Sequence, residues 1–416
     1  MKKQLSLLAL AAAASLGAQA QSASSSINLF GIVDVGVVAI DGAGSKTRRF
    51  VSSGQQVGSR LGVRGTEEIA PGWKAMFTLE HQFYADTGSQ SQQTPVSGTT
   101  LPEWVFAGVP LTVRAALTNP ANPASLGATL NASLENRFWH RQAWAGIVTP
   151  VGAVLGGRQY SPAFATYGRF DPHQAGNVGN MLTLFAAPTG IEVRIDNSVQ
   201  YVAEKGGLRL NVMVGAGEGG LGNGRFTGIS AGYAVGGLDI GVGFNQRKNS
   251  DGQTALENTI VGASYAFGPH KVTGMYMQVK DANSILGPQL RASIGASAPA
   301  PLRASFLAAG AQIAKNLGWD GDLLYGGVHY QINDRNKLVV SYGQYDDANN
   351  ARDMAVAGVA LEHSLSKRTQ IWLSGSRIDN KTGSQVLPFA QGLYYGITDK
   401  PGRDSSAYSL NLVHRF

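Results

Sequence analysis

RFWHRQAWAGIVTPVGAVLGGRQYSPAFATYGRFDPHQAGNVGNMLTLFAAPTGIEV, residues 137–193, is the stretch whose reading decides the fold. Its first half reads as a tight hairpin: a strand over residues 138–148, a turn at Thr149-Pro150-Val151-Gly152, and a strand over residues 153–160. Residues 161–193 then hold no steady period of two or of 3.6. A connection that long inside a compact architecture needs a reason. A closed tube of strands would supply one, because the segment could fold inward and narrow the bore, facing arginines on the opposite wall.

The flanking sequence supports a tube with one greasy and one wet side. Over residues 57–67, Ser59, Leu61 and Val63 alternate with Arg60, Gly62 and Arg64; a period of two with arginine on the second face makes that face wet. Beyond the turn at Ala70-Pro71-Gly72, the side chains of Ala75, Phe77, Leu79 and Phe83 oppose Lys74, Thr78, Glu80 and Gln82. Past the central segment, Ile195, Val199, Tyr201 and Ala203 oppose Arg194, Asp196, Ser198, Gln200 and Glu204. Leu208, Leu210, Val212 and Val214 then oppose Arg209 and Asn211. The alternation is least regular over residues 141–148 and 370–376, where both faces look alike.

The bulk numbers narrow the class. Lys2 and Lys3, an apolar run from Leu5 to Leu16, and Ala18-Gln19-Ala20 before Gln21 mark residues 1–20 as an export signal to be cleaved. The apolar run falls short of the ~18 residues a spanning helix needs, as does every later run. Loss of Lys2 and Lys3 lowers the formal charge from +7 to +5. Residues 21–416 show no linker, so a single domain is expected. The chain has no cysteine, so closure must come from something other than disulfides. Its 54 glycines lack a collagen period, and 43% hydrophobic content excludes disorder. Lysine and arginine are scattered singly, unlike a phosphate-tracking stripe, so no nucleic-acid partner is expected.

Counted along the chain, the alternating segments number sixteen, joined by seven short turns and eight longer connections in strict alternation. An even strand number with short turns at one end and long loops at the other is the pattern of outer-membrane barrels. Closure leaves no sheet edge, as hydrocarbon demands of every backbone group. The fold expected is all-β: a closed 16-stranded antiparallel transmembrane barrel with its third long loop folded into the lumen. The two longest connections, residues 85–136 and 281–320, are read as polar or Ala/Ser/Pro-rich loops.

SRLGVRG (residues 59–65), RQAWAG (141–146), GRQY (157–160), NSVQY (197–201) and the terminal Phe416, in this order, make the chain resemble the general porins of Gram-negative bacteria, specifically the trimeric β-proteobacterial type. The resemblance runs over nearly the whole chain from Ile27. It implies a homotrimer in outer-membrane lipid and lipopolysaccharide, and a constriction lined by Arg60, Arg141 and Arg194 with Arg158 close by. It also implies an acidic partner in the inward loop, Asp171 and secondarily Glu192, and a C-terminal Phe416 read by the outer-membrane insertion machinery. From the alternation, Arg64, Lys74, Glu80, Asp196 and Arg209 are expected to line the lumen. Several guanidiniums on one wall favour anions. A passive, weakly anion-selective diffusion pore for ions and small hydrophilic solutes follows as the expectation, with no cofactor. A substrate-specific anion channel and an outer-membrane barrel hydrolase are the alternatives.

Two motifs are decoys. Gly215-Ala216-Gly217-Glu218-Gly219-Gly220 matches a dinucleotide-binding fingerprint, yet Leu221-Gly222-Asn223-Gly224 cannot start the helix that such a site requires. Gly228-Ile229-Ser230-Ala231-Gly232 matches a nucleophile elbow, but Ser230 sits inside an alternating strand with another strand next. The seven histidines show no H-x-x-x-H pair and there is no cysteine, so no zinc site is expected.

Overall fold

A computed structural model describes residues 25–44, 46–89, 103–119, 138–182, 190–217, 224–285, 287–348, 352–381, 383–388 and 397–416. The proposed signal, residues 1–20, lies outside them. Seventeen strand segments form one sheet: β1 (Ser26–Asp41), β2 (Arg48–Ser53), β3 (Arg60–Ala70), β4 (Trp73–Gln82), β5 (Gln142–Thr149), β6 (Gly152–Tyr160), β7 (Arg194–Lys205), β8 (Leu208–Gly215), β9 (Phe226–Val235), β10 (Leu238–Lys248), β11 (Thr254–Phe267), β12 (His270–Asp281), β13 (Asp320–Asn333), β14 (Asn336–Asp347), β15 (Met354–Ser364), β16 (Thr369–Asn380) and β17 (Ser405–Arg415). All pairings are antiparallel, and β17 returns to β1 in register from Ile32↔Arg415 to Asp41↔Ser406. The Gly31 amide donates to the Phe416 carbonyl and the Phe416 amide to the Gly31 carbonyl, at 3.1 Å each, finishing the seam.

Sixteen positions hold seventeen segments because β2 and β3 share one. The first half of β1 pairs with β3 and its second half with β2. The strand expected over residues 57–67 thus starts only at Arg60, and a further strand segment, β2, precedes it. The break at residues 54–59 is filled from the neighbouring strand: the buried Asp34 carboxylate accepts the amides of Gln56 (2.6 Å) and Val57 (2.7 Å) and the Asn411 side chain (2.8 Å). Those amides lost their ladder partners, and a carboxylate replaces them.

The outer face is apolar where the alternation requires. Leu208, Leu210, Val212, Val214, Tyr408, Leu410, Leu412 and Phe416 all point outward and exposed. No helix among the described residues is long and apolar enough to cross a membrane. Two parities need correction. Asn197, at φ 50°, interrupts β7, so Ile195 does not share the outward side of Val199 but is buried with Met213 and Phe226. Around residues 370–376, Leu373 faces out while Trp372, Ser374 and Ser376 are buried inward.

The described part of the third long connection, residues 161–182 and 190–193, does fold into the tube, and its beginning is not aperiodic. It opens with helix α2 (Pro162–Phe170); α1 is Leu111–Thr118 in an earlier connection. Ser161 caps α2 by accepting from Phe164 N at 3.2 Å, with Pro162 at the first helical position. The helix lies along the inner wall of β9 to β12, where glycines leave room for it. A Cβ on Gly228 would meet Pro162 at 2.9 Å, one on Gly241 would meet Phe170 at 3.0 Å, and one on Gly262 would overlap the Phe170 ring. Further round, Gly327 faces Pro172 and Gly358 faces Gly179. Polar ties fix the register. Thr273 donates to Phe170 O (2.7 Å), Asn258 to Gly190 O (2.7 Å), and Asn245 holds both Ala163 N (3.1 Å) and Ser161 Oγ (2.9 Å).

The result is a hydrophobic core inside the barrel. Tyr167, Phe170, Met181 and Ile191 of the loop pack on Ile260, Met277, Leu323 and Val356 of the wall. Gly262→Leu is expected to push the Phe170 ring off the wall and to cost about 1–3 kcal/mol, as overpacking does. The check is the midpoint of thermal unfolding in detergent; an unchanged midpoint would show that the ring is not seated there.

Candidate functional site

Across the bore from this attachment lie β3 to β7, and the strand registers gather a cluster of charge there. Arg60 is opposite Gln82 and Gly62 opposite Glu80, while Glu80 is in turn opposite Gln142. Ala143 is opposite Arg158, and Tyr160 opposite Arg194. Each pairing transmits the height of one polar side chain to the next strand, so four arginines converge from distant parts of the sequence.

Glu80 and Tyr160 are the hubs. One Glu80 oxygen is shared by Arg60 Nη1 (3.3 Å) and Arg141 Nε; the other accepts from Gln142 (3.1 Å). Arg141, 4% exposed, also donates to Gln82 (2.8 Å) and to the Tyr160 hydroxyl (2.9 Å). Arg194 donates to the same hydroxyl at 3.0 Å and lies 4.6 Å over the ring centroid. Arg158 is tied to Asp196 (2.5 Å) and to His140 O (2.6 Å). Four guanidiniums thus meet two carboxylates, leaving two positive charges in excess. His140, in the turn before β5, registers the surroundings. Burial foremost, and then the fields of Arg194 and Arg141, hold its imidazole down to about 3.

Of the residues expected at this site, Arg60, Arg141, Arg158 and Arg194 are brought together, and Asp171 is not. Asp171 ends α2 and folds its carboxylate back onto its own turn, accepting from His173 N (2.8 Å) and Ala175 N (2.6 Å). It is 2% exposed, and burial pushes its carboxyl up to about 6. Glu192 is also occupied, by Arg247 through three hydrogen bonds of 2.8–3.1 Å. Among the described residues of the loop, Ala165, Arg169 and Gln174 are exposed.

Among the residues expected along the lumen, Glu80 and Asp196 are the two acids of the cluster. Arg209 and Arg169 share Asp239, the latter at 2.6 Å. Arg64 is exposed with its guanidinium 5.3 Å from the Phe30 ring centroid, and Lys74 is exposed near the start of β4. Tyr160, Gln82 and Gln142 were not anticipated, since nothing in a strand's alternation distinguishes a hub from any other wet residue. Among the described residues no group of histidines, aspartates and glutamates is placed to hold a metal.

A family model described as Gram-negative porin matches residues 6–383. The chain belongs to the Gram-negative porin family. It is 28% identical over 438 aligned residues, all of both chains, to outer membrane porin protein 32 of Delftia acidovorans. Among solved structures this porin is similar to the anion-selective porin from Comamonas acidovorans, with a TM-score of 0.70 at 22% identity over 94% of this chain and 100% of that one. It is also similar to OmpT of Vibrio cholerae, with a TM-score of 0.57 at 13% identity over 95% and 99%. The porin is a closed 16-stranded antiparallel barrel and a channel protein of the outer membrane.

Glu80 holds the cluster of this porin together against mutual repulsion. Glu80→Gln leaves a buried guanidinium without its carboxylate, a change that costs about 3 kcal/mol. A lower thermal midpoint together with a stronger chloride preference is the expected outcome; unfolding curves and reversal potentials in a salt gradient check the two halves separately.

Proposed function

We propose that this porin is a passive diffusion channel for ions and small hydrophilic solutes that favours anions weakly. One observation carries the reading: the β3 to β7 wall sets four arginines against two carboxylates, while both carboxylates of the facing loop, Asp171 and Glu192, are spent on internal contacts. Guanidiniums stay protonated at every physiological pH, and a narrow passage bounded by low-dielectric walls screens them less than open water does. A solute shedding part of its hydration there meets a positive potential. The solved relative described as anion-selective supports the same sign.

The working unit is a homotrimer in outer-membrane lipid and lipopolysaccharide, made from a single domain of residues 21–416 after loss of residues 1–20. Phe416, whose backbone is paired with Gly31 at the seam, is the residue offered to the insertion machinery. A substrate-specific anion channel is the second reading, and saturable block of conductance by a multivalent anion would favour it.

Catalysis is not part of the proposal. His173 does bond Ser341 Oγ at 2.8 Å and Asn177 at 2.8 Å, an arrangement with the outline of a hydrolytic triad. Both His173 and Ser341 are sealed beneath the loop at 2% and 4% exposure, so the contact pins the loop and meets no substrate.

Planar-bilayer recording in a KCl gradient is the test. A reversal potential showing chloride preference is expected, and cation preference refutes the reading. Arg60→Glu is expected to abolish or reverse that preference without altering barrel assembly; unchanged selectivity places Arg60 away from the conducting path.

A further inference from the structure

The two longest connections, read from sequence as polar or Ala/Ser/Pro-rich loops over residues 85–136 and 281–320, carry helices among their described residues that pack on one another. The first holds α1 and a turn of 3-10 helix at Glu103–Phe106; the second holds α3 (Gly287–Ser297) and α4 (Arg303–Leu317). Val105, Leu117, Leu290, Ile294 and Ile313 are completely buried between them, forming a hydrophobic core built from the two connections alone.

The strand order gives this contact its meaning. The first connection leaves β4 and re-enters at β5, whereas the second joins β12 to β13, half-way round a closed sheet of sixteen positions. A core shared by the two sits between opposite sides of the external mouth. Beneath it, the last connection folds into the same mouth: Leu387 is buried against Val38, Ile40 and Val178, all interior. The side chain of its neighbour Gln385 accepts Glu103 N at 2.7 Å.

Arg352, in the connection between β14 and β15, clasps the layers. Its guanidinium lies 4.2 Å from the Trp104 ring centroid and 4.3 Å from that of Trp319, and is 4% exposed. It donates to Asn316 O (2.7 Å) and to Gly318 O, while Asn316 in turn donates to the carbonyls of Val105 and Ala107 at 2.9 Å each. Four separate external connections are therefore fastened into one body.

We infer that this body is a fixed roof bridging the external mouth from the β4–β5 connection to the β12–β13 connection, and that it makes the entrance a size filter separate from the charge filter at the arginine wall. With the mouth bridged between these connections, large solutes are refused before they reach the arginines. Arg352, Trp104 and Trp319 are positioning residues for the filter. The inference rests on the pore reading above.

The test compares the full-length trimer with two variants in liposomes: one lacking residues 103–119, and Arg352→Ala, which keeps every connection at full length. Swelling is measured with a monosaccharide and a trisaccharide, and the chloride-to-potassium permeability ratio is measured in bilayers. Both variants are expected to raise trisaccharide entry relative to monosaccharide entry by at least about twofold with the ion ratio unchanged, since only the entrance has changed. An unchanged sugar ratio in Arg352→Ala and in the deletion overturns the roof while leaving the pore reading intact. A shifted ion ratio also overturns it, because the two filters would then be one. A wild-type protein without conductance overturns the pore reading first.

Discussion

Every backbone amide and carbonyl within hydrocarbon must find its partner inside the protein, and the rest of the molecule depends on that constraint. Without cysteine, and with no spanning helix among the described residues, the chain meets it by joining β17 to β1, so that the described sheet closes on itself. Where the ladder fails, at residues 54–59, the buried Asp34 carboxylate takes up the orphaned amides. The charge there is tolerable because it stands in for backbone acceptors and is held by several donors at once.

Closure creates a bore wider than sixteen strands can fill with their own side chains, and the interior is divided unequally. Along β9 to β15 the wall presents glycines, on which Pro162, Phe170, Pro172 and Gly179 rest at close range. The inward side of these strands is consequently apolar in its upper half, with Met277, Leu323 and Val356 meeting the loop and not water. Along β3 to β7 the wall stays polar and carries the arginines. Water and loop occupy opposite sides of one tube, and the passage is what remains between them.

The electrostatics follow from that division. Arginines at this density repel one another, and Glu80 with the Tyr160 hydroxyl supplies the acceptors that hold them at hydrogen-bonding distance. The loop opposite keeps its own acids busy, Asp171 with its own turn and Glu192 with Arg247. The two positive charges in excess on the β3 to β7 wall are therefore not cancelled by these two acids.

Sequence by itself determined the number of staves, the alternation of short turns and long connections, and the outward face. Each of these depends on local periodicity or on turn chemistry such as Gly206-Gly207 and Gly236-Gly237. Alternation also marked Arg60 and Arg194 as facing the interior, while Arg141 and Arg158 came from the resemblance of their motifs to the porins. What only the tertiary structure decided was where a second apolar surface would be used. Ile195 reads like a lipid-facing residue until the break at Asn197 turns it inward against Met213 and Phe226, and Val356 meets the inward loop, since period two cannot tell one oily environment from another. Asp171 likewise looked like a pore acid until its own turn claimed it, and the helices of residues 103–119 and 287–317 gain their stability from each other. Short helices with weak amphipathicity depend on a partner face, and that partner lies far away in the chain.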